Sequence, residues 1–304
     1  MHLKFDLYDI NNKILISKNQ EITESLISSL IKQGEKLSKN FVLLKDTPLL
    51  DNLTHIFDDT RYTPIFNSSS IQKQIINTLS KLKLEEPIVN ELVSMKSMRP
   101  YTYQHVQIIA AMAITIISMM ENTHYDPMLA AHLAITHDIG KTRINDEILN
   151  KETPLTNEEY EIIKSHPTIG YLLLNYYCGW EGKKYASAVY EHHEKLDGSG
   201  YPRGIKKIDP YAQLMTPIDI FDALISDRPY RRTPFTIRLA VDLLLDGVKN
   251  GQLNRDVVHT LINCLRKHKI EDTIRMKLAK ERRDKLPIGS VYGMRDAKKE
   301  LKKD

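Results

Sequence analysis

A mainly α chain, an all-α helical bundle carrying a small N-terminal α/β unit, is what three observations predict. Strand-like segments are confined to roughly the first 60 of 304 residues. Helical periodicity takes over from Ile71. Histidines and aspartates then recur at the ends or faces of successive helical segments, at separations of 26–32 residues.

Each element has its own signal. KFDLYDI and KILISK flank Asn11-Asn12 and read as two short strands. ITESLISSLIKQG reads as an amphipathic helix, with Thr23 as the cap that accepts an orphan amide and Gly34 as the stop. KNFVLLKD is a third strand. RYTPIFNSSS, 61–70, is turn-rich and reads as a connection. IQKQIINTLSKLKL places apolar residues at 71, 75, 76, 79 and 82, and Pro87 starts the next helix. Helices are then expected over 106–120, 127–138, 156–176, 184–195, 210–227, 236–248 and 255–285. The division that follows is 1–65, a small α/β regulatory or interaction domain; 66–98, a helical linker; and 99–304, the large helical domain with a basic tail. No internal repeat is visible.

Composition narrows the class. The chain is 41% hydrophobic and 27% charged, which excludes a disordered or low-complexity protein. Two cysteines, Cys178 and Cys264, form neither a disulfide framework nor a metal spacing, and fit a reducing compartment. The N-terminus lacks the basic-then-apolar pattern of a signal peptide. The longest apolar run, Val106–Met120, falls short of the ~20 residues a bilayer span needs and reads as a buried helix. A cytoplasmic protein without a membrane span is expected. Net charge is +4, and the stretch from Leu265 to Asp304 holds 14 Lys/Arg against 7 Asp/Glu. Acids interrupt that basic run and Tyr292 is its only aromatic, so it lacks a stacking platform for nucleic acid.

The chemistry centres on His137-Asp138-Ile139-Gly140-Lys141. Imidazole and carboxylate together suit divalent transition metals, and one carboxylate can bridge two of them. Gly140 lets the chain turn away sharply, and Lys141 then lies near the same site as a point charge for phosphate. His105, His166, His192, His193 and Asp219 complete the series, one ligand group from each successive helix of a bundle. His192 and His193 differ by about 100° on an ideal helix, so both reach one site only if it lies between them or the helix ends there. Gly198, Gly200 and Pro202 favour an ending. His2, His55, His124, His132, His259 and His268 stand outside the series; His132, five residues before His137, could support it from behind. Trp180 is expected in the core.

HDIGK, KSHP, HHEKLDGSGYPRG and DIFDALISDRPYR resemble the bacterial HD-GYP phosphodiesterases, a branch of the HD metal-dependent phosphohydrolases. The segment NDEILNKETPLTNEEYEIIKSHP follows the same pattern, and the resemblance runs from about Tyr101 to Leu245. It implies an HD-type helical bundle that hydrolyses cyclic di-GMP to linear pGpG, and on to GMP if a second cut follows. It implies two divalent metal ions, iron or manganese, held by His105, His137, Asp138, His166, His192, His193 and Asp219, with Asp138 bridging. It implies that Lys141 and Arg228 hold substrate phosphates and that Asp222 lies near metal-bound solvent, so that Asp138, Lys141 and Asp222 serve catalysis. Gly200, Tyr201 and Pro202 form the signature loop, which would shape the substrate entrance, dock a diguanylate cyclase domain, or simply act as a rigid turn. A homodimer is a further implied partner.

Some members carry a Glu, associated with a third metal, where this chain has Tyr101; the resemblance therefore favours two metals. Pro217-Ile218 stand where small residues are usual and would alter the start of the last helix of the site. Three further readings stand beside the first. They are a phosphodiesterase for another cyclic dinucleotide such as cyclic GMP-AMP, a cyclic dinucleotide receptor or interaction module with little turnover, and, ranked last, a nucleic-acid binder working through the basic tail.

Overall fold

The structure is a computed structural model that describes residues 2–37, 40–121, 123–227 and 233–266. Its N-terminal hairpin pairs β1, Leu7–Tyr8, with β2, Ile14–Ile16. The Asp9 carboxylate accepts the amides of Asn11 and Lys13, each at 2.9 Å, and Asn12 takes φ 62, so the turn residues close the hairpin. Helix α1, Glu24–Gly34, follows; Thr23 accepts the Leu26 amide at 3.2 Å, the cap expected from sequence.

Strand β3, Phe41–Leu43, finds its partner in β4, Lys83–Glu85, in the antiparallel register Phe41↔Glu85, Val42↔Leu84, Leu43↔Lys83. A strand therefore lies inside the segment read as a helical linker. Leu82 and Leu84 are buried and Lys83 is exposed, a period-2 pattern too short to stand out between two helices. Between the strands come α2, Leu53–Asp58; α3, Thr63–Phe66; and α4, Ser69–Lys81. The supposed connection at 61–70 thus contains a short helix with Pro64 in its first turn.

The helical body then runs α5, Glu86–Met98; α6, Pro100–Met119; α7, Pro127–Thr136; a 3₁₀ turn, Ile139–Arg143; α8, Asp146–Leu149; α9, Asn157–Lys164; α10, His166–Cys178; α11, Lys183–Glu191; α12, Pro210–Ile225; α13, Ile237–Lys249; and α14, Arg255–Arg266. The expected single helix 156–176 is two. Thr156 and Glu159 cap α9 reciprocally, the chain breaks at Ser165, and Pro167 lies in the first turn of α10, where its missing N–H costs nothing. Most of the helix expected over 255–285, and the basic tail with it, lies outside the described residues.

Helix α6 is long and apolar enough to cross a bilayer, yet most of its surface is buried by neighbouring helices. Buried apolar side chains from Leu3 to Leu265 form one contiguous cluster, so the N-terminal segment shares its core with the helices. Polar ties join them as well: the Ile10 amide donates to the Tyr177 hydroxyl at 2.8 Å. Trp180 is not in that core. It is 51% exposed, in the turn between α10 and α11, where Gly179 reverses the chain at φ 59.

Candidate metal centre

Five histidines and two aspartates, spread from residue 105 to residue 219, meet in one buried place, and helix ends bring most of them there. Helix α7 stops one residue before His137, and α11 stops one residue before His192. His166 opens α10 right after α9 has ended. At each of these ends the carbonyls of the last turn have no helical partner. His137 Nδ1 lies 2.7 Å from the Ala134 carbonyl, His166 Nδ1 2.8 Å from that of Ile163, and His192 Nδ1 2.6 Å from that of Val189, always three residues back. A carbonyl only accepts, so each Nδ1 carries the proton and each Nε2 presents a lone pair.

His105 is different. It sits inside α6, where the carbonyls are consumed by the helix. Its Nδ1 instead meets the Asp222 carboxylate, at 2.6 Å from Oδ2. The other Asp222 oxygen accepts from the Tyr62 hydroxyl and, at 3.0 Å, from Ser226. Asp222 was expected beside metal-bound solvent. In the structure its Oδ2 meets His105, while Asp219, three residues earlier on α12, faces both histidine groups.

The Nε2 atoms converge. Those of His166 and His192 are 3.1 Å apart, and those of His105 and His137 3.3 Å apart. Asp138 lies between the groups: Oδ1 is 3.2 Å from His166 Nε2, while Oδ2 is 3.6 Å from the Nε2 atoms of both His105 and His137. Asp219 also faces both, with Oδ1 3.0 Å from His105 Nε2 and Oδ2 3.7 Å from His193 Nδ1. The donor atoms of His166, His192 and His193, and those of His105, His137 and Asp138, each lie within 4.8 Å of one another, so among the described residues there are two groups able to hold a metal ion. At His166 and His192, two neutral imidazoles whose Nδ1 protons are engaged cannot hydrogen-bond to each other through facing Nε2 lone pairs. A cation between them satisfies both, and the donor set fits divalent transition metals.

Electrostatics agree for four of the five histidines. Burial, reinforced for the paired histidines by their neighbours, holds His137, His166, His192 and His193 below the usual imidazole range, in the neutral form a metal needs. Burial would lower His105 too, but Asp222 and Asp219 outweigh it and push it up to about 9. Burial would raise Asp138 and Asp219; Lys141 and the histidines around the first, and His105 beside the second, hold both well below the carboxylate range. Burial and the Asp222 carboxylate hold the Tyr62 phenol well above its ordinary value, so it donates.

Lys141 is buried, with Nζ 2.6 Å from Asp138 Oδ2. Gly140 serves a close approach rather than the expected sharp turn: a Cβ there would lie 2.0 Å from the His166 carbonyl oxygen, so only glycine lets the 3₁₀ turn run beside the start of α10. In the signature loop, a Cβ on Gly200 would lie 2.4 Å from Glu194 Cα and Lys195 N. The Tyr201 amide donates to the His193 carbonyl at 3.1 Å, and the Tyr201 ring stacks on His193 with centroids 4.7 Å apart. Tyr201 and Pro202 also line a cavity of about 160 Å³ with residues 2–5 and the end of α9. Arg228 lies outside the described residues. Tyr101, exposed, lines a small cleft of about 50 Å³ beside His105 and Asp222. Pro217 falls in the interior of α12, not at its start, which Asp209 caps at Pro210.

Three contributors escaped sequence reasoning. Tyr62 is one of 15 tyrosines and nothing near it signals a site. Ser226 sits one turn after Asp222, a signal visible only once Asp222 is known to bond His105 through its other oxygen. Glu194 was in view beside the paired histidines; its carboxylate accepts the amides of Arg203, Gly204 and Ile205 at 2.7, 3.1 and 3.2 Å and so fixes the loop. His132 does not touch the site. It stacks on Tyr185, and burial lowers it to about 4.

The sequence model of one family, described as HD domain, matches residues 87–257. A cyclic di-GMP phosphodiesterase of Pseudomonas aeruginosa is 33% identical over 164 residues, 52% of this chain and 39% of that protein. A 3'3'-cGAMP-specific phosphodiesterase of Vibrio cholerae is 28% identical over 196 residues, 61% of this chain and 42% of that one. A cyclic di-GMP phosphodiesterase of Thermotoga maritima is 37% identical over 146 residues, 47% of this chain and 39% of that protein. The matched region thus spans about two fifths of each of these relatives.

Proposed function

The chain belongs to the HD domain family, and from that premise we propose that it is a metal-dependent phosphodiesterase that opens a cyclic dinucleotide, cyclic di-GMP before others. The observation that carries the reading is the convergence of five histidine side chains on two shared carboxylates, Asp138 and Asp219. His105, His137, His166, His192, His193, Asp138 and Asp219 would hold two divalent ions, with iron or manganese suited to this mix of imidazole and carboxylate. When bound, such a pair supplies Lewis acidity toward a phosphoryl oxygen and a nucleophile from water near neutral pH.

The chain's own groups do the rest. Helix-end carbonyls fix three imidazoles in the Nδ1–H tautomer. Asp222 does the same for His105 and raises its basicity. Lys141 keeps a fixed positive charge beside Asp138, where it offsets charge that develops on a phosphoryl oxygen as the phosphodiester opens to pGpG. Arg228 would add a second such charge. Tyr201 braces His193 by stacking, and the Gly200–Pro202 loop would border the entrance and offer a surface to a diguanylate cyclase domain. A second copy of this chain is a further partner, and the cytoplasm is the expected location.

A second reading, the cyclic GMP-AMP substrate, is favoured by the name of one relative. The test is turnover of cyclic di-GMP and of 3'3'-cGAMP by anaerobically purified protein supplied with Mn(II) or Fe(II), alongside His137→Ala and Asp138→Ala. Faster conversion of cyclic di-GMP to pGpG, lost in both variants, supports the reading. A preference for 3'3'-cGAMP replaces the substrate, and metal binding with neither dinucleotide cut would point to a receptor.

A further inference from the structure

Tyr62 lies outside the helices that carry the metal-facing residues, in the turn between α2 and α3, yet it is fully buried against them. Its hydroxyl donates to Asp222 Oδ1 and lies 2.7 Å from Ser226 Oγ, 160 residues away in sequence for the first of these contacts. Its neighbours hold it there. Arg61 forks onto Asp59, with Nη2 2.6 Å from Oδ2 and Nε 3.0 Å from Oδ1, and reaches Asp227 just past the end of α12 at 3.4 Å. The Tyr62 ring stacks on Phe66 with centroids 6.2 Å apart.

The Asp222 carboxylate is therefore gripped from two sides. One oxygen serves His105 Nδ1, and the other receives hydroxyls from Tyr62 and Ser226. A carboxylate turns about one bond, so the groups on Oδ1 set where Oδ2 points. Where Oδ2 points sets the His105 ring.

We propose that Tyr62 is a positioning residue for the metal centre, through which the N-terminal segment orients the Asp222–His105 pair and so tunes the affinity of one of the two metal sites. This rests on the reading of His105 as a metal ligand. Tyr62 touches neither metal nor substrate; it acts through Asp222.

The experiment is Mn(II) titration of the metal-free full-length protein, followed by the electron paramagnetic resonance of free Mn(II), for wild type, Tyr62→Phe, Ser226→Ala and Tyr103→Phe. Tyr103 is the control: it is also buried, and its hydroxyl donates to the Leu49 carbonyl rather than to Asp222. Two sites are expected in wild type. Tyr62→Phe should weaken one of them about 3–10-fold, below the 10–100-fold typical of groups bonded directly to a ligand, and leave the other unchanged. Ser226→Ala should move the same site in the same direction, and it carries the test if Tyr62→Phe does not fold. Tyr103→Phe should lower the melting temperature comparably and move neither site. Unchanged affinities in the Tyr62 and Ser226 variants overturn the proposal. Equal weakening in Tyr103→Phe overturns it too, since that is general loosening. A wild type that binds no metal overturns the proposed function itself, and the positioning role falls with it.

Discussion

The histidines at helix ends and the histidine inside a helix solve one problem in two ways. His137, His166 and His192 each follow the last turn of a helix and use its orphan carbonyl to fix their tautomer. His105, midway along α6, has no such carbonyl and depends on Asp222, a side chain from α12, which depends in turn on Tyr62 and Ser226. Backbone-held ligands are rigid and insensitive to other parts of the chain. A carboxylate-held ligand is more basic and can be adjusted from a distance. On the proposed reading, the group containing His105 is the adjustable half of the centre, and the group in which backbone carbonyls hold His166 and His192 is the fixed half.

The largest expected effect erases the comparison. Asp138 faces both groups, so Asp138→Asn should lose both metals and reduce turnover by more than about 100-fold, beyond the range of outer partners; metal content by atomic emission and initial rates check this. Asp222→Asn should expose the difference. One metal site weakens by roughly 10–100-fold while the other keeps its affinity, as read by Mn(II) titration. Two equal losses would mean the halves are not independent.

Gly140→Ala strikes the fixed half instead. Its new Cβ would lie 2.0 Å from the His166 carbonyl oxygen, and the forced shift should cost about 1–3 kcal/mol in a denaturant midpoint analysis. Metal should be lost first from the group that contains His166.

The smallest effect concerns His132, a buried histidine in neither half. Its folded value is about 4, against about 6.5 in an unfolded chain. Between those values the unfolded state binds the extra proton, so stability rises with pH across that window and is lost as pH falls through it. Going from pH 7.5 to 5.5 should cost wild type about 1 kcal/mol more than His132→Phe, which keeps the ring stacked on Tyr185. Identical pH dependence in the two proteins would show that His132 is already charged or exposed.

Much of this centre was legible because ligand chemistry is carried by residue type and spacing. His-Asp at the end of an apolar helix, and single histidines 26–32 residues apart, are patterns that survive without coordinates. So are Thr23 at a cap and Pro87 at a helix start, since these are local rules. The division of 156–176 was less legible. Its apolar period continues through Ser165, and Pro167 is compatible with either a start or an interruption. Strand β4 was hidden for a different reason. A three-residue strand exists only because β3, forty residues earlier, pairs with it.

By itself the sequence determined which groups can bind metal, how many helices present them and where most of those helices begin, because these depend on residue chemistry and on hydrogen bonds a few residues long. Only the tertiary structure decided which way each carboxylate faces. Asp219 and Asp222 differ by three residues on one helix, yet one faces both histidine groups and the other meets His105 Nδ1. The choice depends on how α12 packs against α6 and against a tyrosine 160 residues earlier, and no local rule contains that packing.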